Sequence, residues 1–501
     1  MGSNQVTDPS RPTTKARALK LVLKGSYAAA LPLLRRAAEF PDPGPEDRFS
    51  LARCHFALGD THEAVNELRR AAESSDPEVR RAALRRIAIC IPGDPKAGNA
   101  DILKARRLWA RQEARVESPR LPPSPTGRTT RRKLRIGYVS AFLSCRNWMK
   151  PVWGVLDAHD RRAFEIHLFL DHGLPDKRHG YVPHRRDRIH GLDNLSNEAA
   201  AKRVAAAKID ILVDLNAYSH PSRLGLFFRK PAPIQVGWFN TFASSGIDAF
   251  DYAVADKAAV AGRERSFYLE EVLFVSGTYL AFAVSYRVPR VVAPPCARSG
   301  RITFGCLAPQ YKITGDVIRA FAAILRGAPR SRLILKNTCL GDRGNRAAIR
   351  ARFLRHGASR DQLLLEGPAG HFAFIKTYGR IDVALDTFPY SGGTTTMEAL
   401  WQGVPVLTFP ADRWISRISA SLLKAAGLDE WIRPSRRSFI RRAIELAKSR
   451  DAGAQLSVLR SSLRDRLLAS PAGNVRGLCR QLEDHYRAIA YCHDRRPKPA
   501  R

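Results

Sequence analysis

From residue 134 onward the chain is written as short apolar runs separated by polar, helix-forming connections. LRIGYVSAF, FEIHLFL, KIDILVDLNAY, IQVGWFN and DYAVAD follow one another, with EAAAKRVAAAK between the second and third. Runs of this length, rich in Val, Ile, Leu and Phe and lacking strict alternation, predict strands buried on both faces of a parallel sheet. The pattern restarts at Arg301 with RITFGCL, SRLILKN and DQLLLEGP as strands. Between and after them TGDVIRAFAAILRGAP, RAAIRARFLRHG and FAFIKTYGR predict helices. The fold class expected is α/β, with two Rossmann-like lobes at 134–295 and 301–434. Two such lobes in succession predict a cleft, with ligands at the carboxyl ends of the strands.

The first hundred residues carry a different period. GSYAAALPLLRRAAE from Gly25 aligns with GDTHEAVNELRRAAE from Gly59, an offset of 34 residues, and a degenerate third unit starts at Gly93. Helix pairs with glycine at the turn and alanine at close approaches resemble the tetratricopeptide repeat, so 12–115 is expected to be an α-helical repeat segment. Pro32 predicts that its helix begins late or kinks. The repeats are expected either to dock a partner or to cap the next domain. SPRLPPSPTGRTTRRK places a linker at 116–133, helices follow at 435–490, and 491–501 reads as a disordered basic tail.

Residues 381–409, IDVALDTFPYSGGTTTMEALWQGVPVLTF, hold the most chemistry. An apolar strand ending at Asp386 leads into Gly392 and Gly393, then Thr394, Thr395 and Thr396, then a helix stopped by Gly403 and a second strand. Glycines admit a ligand close to the backbone, and a helix start offers unpaired N–H groups at the positive end of its dipole. A phosphate suits that environment, with Thr394 expected as the helix cap. The alternative is an ordinary strand–helix crossover whose threonines only cap.

Composition changes the picture at one point. The chain has 501 residues, with 83 Lys and Arg against 47 Asp and Glu, a formal net charge of +36. The basic residues are spread along the whole length and no nucleic-acid-binding motif accompanies them, so no dedicated nucleic-acid partner is expected. The eight cysteines form no CxxC pair, which argues against a zinc or disulfide framework. No apolar leader and no run of about 18 apolar residues is present, so a cytoplasmic protein without a membrane span is expected.

DILVDLNAYS, RKPAPIQVGW, ITFGCLAPQYKIT, and above all GPAGHFAFIKTYGRIDVALDTFPYSGGTTTMEALWQGVP resemble the O-GlcNAc transferase and SPINDLY family of glycosyltransferases, over about 134–432. The resemblance implies a GT-B-type pair of lobes behind the repeats and an inverting, metal-independent transfer from a sugar nucleotide to Ser or Thr of a protein. UDP-N-acetylglucosamine is preferred to GDP-fucose as donor, with no separate cofactor. It also implies that Lys312, beside Tyr311, stabilises charge on the leaving diphosphate. The plainer reading of Lys312 is an exposed lysine at a helix start.

By the same resemblance Gly392, Gly393, Thr394, Thr395 and Thr396 form the diphosphate loop, and Glu398 stands where a carboxylate contacts the ribose. Ala369, Gly370 and His371 form the loop at the base, where His371 either stacks or caps the next helix. One departure is plain. The family's His after the GYVS strand is absent from AFLSCRNWMKP, where Arg146 or a neighbour takes its place, and arginine is no base at neutral pH. Tyr218, with Arg146, is the remaining catalytic candidate on the first-lobe side. Without that His, a transferase with a non-protein acceptor or a non-catalytic nucleotide-sugar-binding protein are the alternative readings.

Overall fold

The first lobe is a seven-stranded parallel sheet in the order β3-β2-β1-β4-β5-β6-β7. Its strands are β1 (Leu134–Ser140), β2 (Phe164–Leu170), β3 (Arg188–Gly191), β4 (Ile211–Asp214), β5 (Ile234–Gly237), β6 (Tyr252–Asp256) and β7 (Glu271–Val275). The second lobe is a five-stranded parallel sheet, β10-β9-β8-β11-β12, formed by β8 (Thr303–Cys306), β9 (Arg332–Lys336), β10 (Leu363–Glu366), β11 (Val383–Leu385) and β12 (Val406–Leu407). Both orders reverse direction once, between β1 and β4 in one lobe and between β8 and β11 in the other. Such switch points open a crevice outside the strand carboxyl ends. The computed structural model describes residues 10–38, 44–117, 120–121, 132–172 and 181–495, leaving aside the side chains of 10–13, 38, 146 and 147.

Helices cover both sheets because near-continuous apolar strands must be buried on each face. In chain order, α1 (Ser10–Leu23), α2 (Tyr27–Ala38), α3 (Pro45–Ala57), α4 (Thr61–Ala71), α5 (Pro77–Cys90) and α6 (Asn99–Val116) form three hairpins. The first lobe adds α7 (Arg146–Ala158), α8 (Asn197–Ala206) and α9 (Leu224–Phe228). The second adds α10 (Cys296–Ser299), α11 (Gly315–Gly327), α12 (Arg343–Arg355), α13 (His371–Lys376), α14 (Thr394–Trp401) and α15 (Ile418–Ala425). The chain closes with α16 (Arg436–Lys448), α17 (Ala452–Ala469) and α18 (Val475–Asp494).

Several expectations change. α2 begins at Tyr27 with the exposed Pro32 inside it, so it does not start late. AFLSCRNWMKP is not all loop, since its second half forms the first turns of α7. β3 was missed because Arg-Ile-His-Gly has one apolar residue and lies at an edge. α18 runs to Asp494, into the segment expected as tail, because its apolar face packs on the first lobe. There His159 Nδ1 meets Glu483 Oε1 at 2.9 Å, beside the Tyr138 hydroxyl. Of the expected linker, 118–119 and 122–131 lie outside the described residues, as do 496–501 of the tail.

The hairpin turns rest on the second lobe. Gly25 and Gly59 adopt φ of +76° and +86°, which a side chain would disfavour. Ser26 donates to Asp342 at 2.9 Å, and Arg352 donates to the Leu58 carbonyl and pairs with Asp60, both at 2.8 Å. Arg413 donates to the Asp94 carbonyl at 3.1 Å. From α6, Arg106 donates to the Ser244 carbonyl of the first lobe at 2.7 Å. The helical segment therefore touches both lobes. Among the described residues no helix is long and apolar enough to cross a membrane.

Candidate functional site

Between the lobes lies a cavity of about 330 Å³. Its second-lobe wall is built by segments that leave β8 and β11 at their carboxyl ends, on either side of the switch point. After β8 a 3₁₀ turn, Gln310–Lys312, presents Tyr311 and Lys312. After β11 the chain passes through Asp386 to the glycine loop and α14. Asp386 is buried and organises this loop, accepting from the Gly392 and Thr387 amides at 2.7 and 2.9 Å and from the Thr408 hydroxyl at 2.7 Å. Burial nonetheless pushes its pKa above the ordinary carboxylate range.

Gly392 is required where it stands, since a Cβ there would lie 2.4 Å from Thr396 Oγ1. Gly393, not Thr394, is the N-cap of α14, and the first turn holds no acidic residue. The helix thus opens at the cavity with no side-chain cap over its first amides, a setting that favours an anion. Gly393, Thr394 and Thr395 line the cavity. Gly392 and Thr396 do not: the Thr396 hydroxyl shares a 2.7 Å hydrogen bond with Ser419 and secures the loop from beneath.

Lys312 is half-buried, not an exposed lysine at a helix start. Its ammonium donates to the Ser391 carbonyl at 3.0 Å and lies 3.7 Å from the centre of the Tyr390 ring. Burial lowers its pKa to about 8, against the opposing pull of Asp386. Tyr311 is held from behind by the repeats, with Phe56 stacked on its ring at 4.9 Å and Thr61 donating to its carbonyl at 3.4 Å. Ala369 and His371 also line the cavity, while Gly370 is the N-cap of α13 and stands back from it. The Tyr286 hydroxyl lies 2.8 Å from His371 Nε2.

Glu398 lines the cavity from the second turn of α14 and accepts from Lys150 of α7 at 2.8 Å. Lys150 escaped the sequence reading. The available signal was a lone cation in the otherwise apolar NWMKPVWGVL. α7 also sends Trp148 and Pro151 into the cavity, joined on the first-lobe side by Ser219, Phe239, Asn240 and Phe242.

Tyr218 is corrected. It is buried away from the cavity, its hydroxyl donating to the Ser245 carbonyl at 2.6 Å and its ring packed between Trp109 and the Arg106 guanidinium. Burial raises its pKa well above the usual phenol value, which further unfits it as a base. Arg146 begins α7, and its side chain lies outside the described residues.

The site therefore combines a glycine loop at a helix start, a half-buried cation, a carboxylate and a largely apolar first-lobe wall. A family described as Glycosyl transferase family 41 matches residues 122–288 and 298–482. A protein of Solanum lycopersicum described as a probable UDP-N-acetylglucosamine–peptide N-acetylglucosaminyltransferase SPINDLY is 27% identical over 437 residues, 83% of this chain and 45% of its own length. Its counterpart of that description in Hordeum vulgare is 32% identical over 316 residues, 61% of this chain and 32% of its own. The chain thus spans less than half the length of these curated relatives. A solved structure of a mutant Thermobaculum terrenum O-GlcNAc transferase superposes with a TM-score of 0.83 at 29% identity, over 98% of this chain and 92% of that one. The α/β pair of lobes behind a helical segment is accordingly the fold.

Proposed function

The chain belongs to glycosyl transferase family 41, and we propose on that basis that it moves a sugar from a nucleotide-sugar donor to a hydroxyl group of a protein. The single observation that carries this reading is the convergence of Lys312, Gly393, Thr394, Thr395 and Glu398 on one interlobe cavity. A diphosphate would lie at the start of α14 beside the Lys312 ammonium. The charge that grows on it as the glycosidic bond breaks would be met by that cation and the helix amides, in a site whose low polarity strengthens both. Glu398 supplies a carboxylate for ribose hydroxyls, and the Ala369–His371 segment a wall for the base.

The acceptor would enter from the side of Trp148, Phe239 and Asn240. Among the described residues that wall offers neither carboxylate nor imidazole. The acceptor proton would then pass to a phosphate oxygen of the donor or to water, which asks less of the protein than a dedicated base does. This accounts for a family member without the expected His. The relatives' descriptions favour UDP-N-acetylglucosamine as donor, and GDP-fucose is the second reading. The repeats would act as a brace for Tyr311 and as an approach for the acceptor polypeptide.

Incubating the purified chain with labelled UDP-N-acetylglucosamine or GDP-fucose and a protein extract tests the reading. Label on Ser or Thr of protein, from one donor only, supports it. Label found solely on small molecules or glycans, or no transfer from either donor, overturns it.

A further inference from the structure

Lys150 has no solvent exposure, and Glu398, its partner at 2.8 Å, is only 5% exposed. Removing both charges from water is costly, and an apolar pair of similar size would hold the two helices together at least as well. Stability alone is therefore a poor reason for this pair to stand here. Its position is informative. Lys150 lies on α7, which follows β1 of the first lobe, and Glu398 lies on α14 of the second. Both helices line the cavity, α7 through Trp148 and Pro151 and α14 through Thr394, Thr395 and Glu398 itself. The ion pair thus crosses the cleft at the wall of the ligand cavity.

We propose that Lys150 is a positioning residue for the donor's ribose. By holding Glu398 Oε1 it fixes the plane of the carboxylate, so that the second oxygen accepts from the ribose hydroxyls. Because the ammonium comes from the opposite lobe, this carboxylate is set for ribose only when the lobes are together. This inference rests on the nucleotide-sugar reading of the cavity and adds to it the residue that makes ribose recognition depend on the first lobe.

The test compares a nucleoside diphosphate with its 2′-deoxy counterpart by calorimetry, using whichever of UDP and GDP the 501-residue chain binds. The wild type is expected to prefer the ribonucleotide about tenfold, the size of a hydrogen bond to a charged group. Lys150→Met is expected to reduce that preference to about twofold, and Lys150→Arg, which keeps the cation, to retain most of it. Should Lys150→Met not fold, Lys150→Leu, which likewise offers no donor to the carboxylate, is read in the same way. A Lys150→Met or Lys150→Leu protein that keeps the full preference while melting at lower temperature overturns the proposal and leaves the pair a structural one. A wild type that binds neither nucleotide overturns the nucleotide-sugar reading itself, and the positioning role with it.

Discussion

Lys312 concentrates the chemistry of the site in one side chain. A lysine whose pKa is lowered to about 8 by burial is charged at neutral pH but loses that charge over a range in which the nucleotide phosphates no longer titrate. If the ammonium holds the diphosphate, UDP affinity should fall about tenfold between pH 7 and pH 9, since only about a tenth of the lysine stays protonated at the upper end. Lys312→Met should bind weakly and without this slope, and calorimetry across the range checks both. The same shift costs stability below pH 8, because the unfolded lysine takes up its proton more readily, and that cost is relieved as pH rises through 8. Thr396 provides the contrast. Thr396→Val loses the bond to Ser419 and should cost about 1–2 kcal/mol of stability, while UDP affinity stays within about twofold. Thermal melts and a titration on one preparation separate the two effects.

At the scale of elements, the site depends on a turn that belongs to the repeats. Gly59 sits at φ +86°, and a Cβ there would lie 2.4 Å from the Ile313 carbonyl, one residue past Lys312. Gly59→Ala should therefore lower stability by about 2 kcal/mol or more and also weaken nucleotide binding by disturbing the 310–312 turn, whereas Gly262→Ala, with open space around it, should change neither. Denaturant melts paired with titrations check this. What was legible in the sequence follows the same division between local and distant. Strand, glycine loop and helix at 381–409 could be read because apolar runs and glycines act locally, and the period of 34 residues marked the hairpins. The N-cap was misassigned by one residue, since a glycine that admits a ligand and one that caps a helix look alike. The pairing of Lys150 with Glu398, the buttressing of Tyr311 by Phe56 and the inward turn of Tyr218 are contacts between segments far apart in the chain, and beyond the lone cation in NWMKPVWGVL no local pattern announces them.

At the scale of the molecule, the lobes are joined by several independent ties. Arg417 of the second lobe pairs with Glu264 of the first, and Ser421 donates to Asp256 at 2.5 Å. α18 returns to the first lobe, where His159, whose pKa burial lowers, meets Glu483, whose pKa lies below the usual value. Burial works against that ionised carboxylate, and the hydrogen bonds to His159 and the Asp160 amide together with the nearby Arg487 charge outweigh it. Glu483→Ala should cost about 3 kcal/mol, since it strands a buried imidazole and the Asp160 amide. A lowered melting temperature with unchanged UDP affinity is the expected result, because this tie lies apart from the cavity.

The central claim is that the interlobe cavity holds a nucleoside diphosphate against Lys312 and the start of α14. Titrating UDP and GDP into the wild type and into Lys312→Met at pH 7 tests it most directly. The account predicts saturable one-to-one binding of one nucleotide to the wild type and a loss of at least about tenfold in the variant. Wild-type protein that binds neither nucleotide, or a variant that binds as tightly as the wild type, would contradict it.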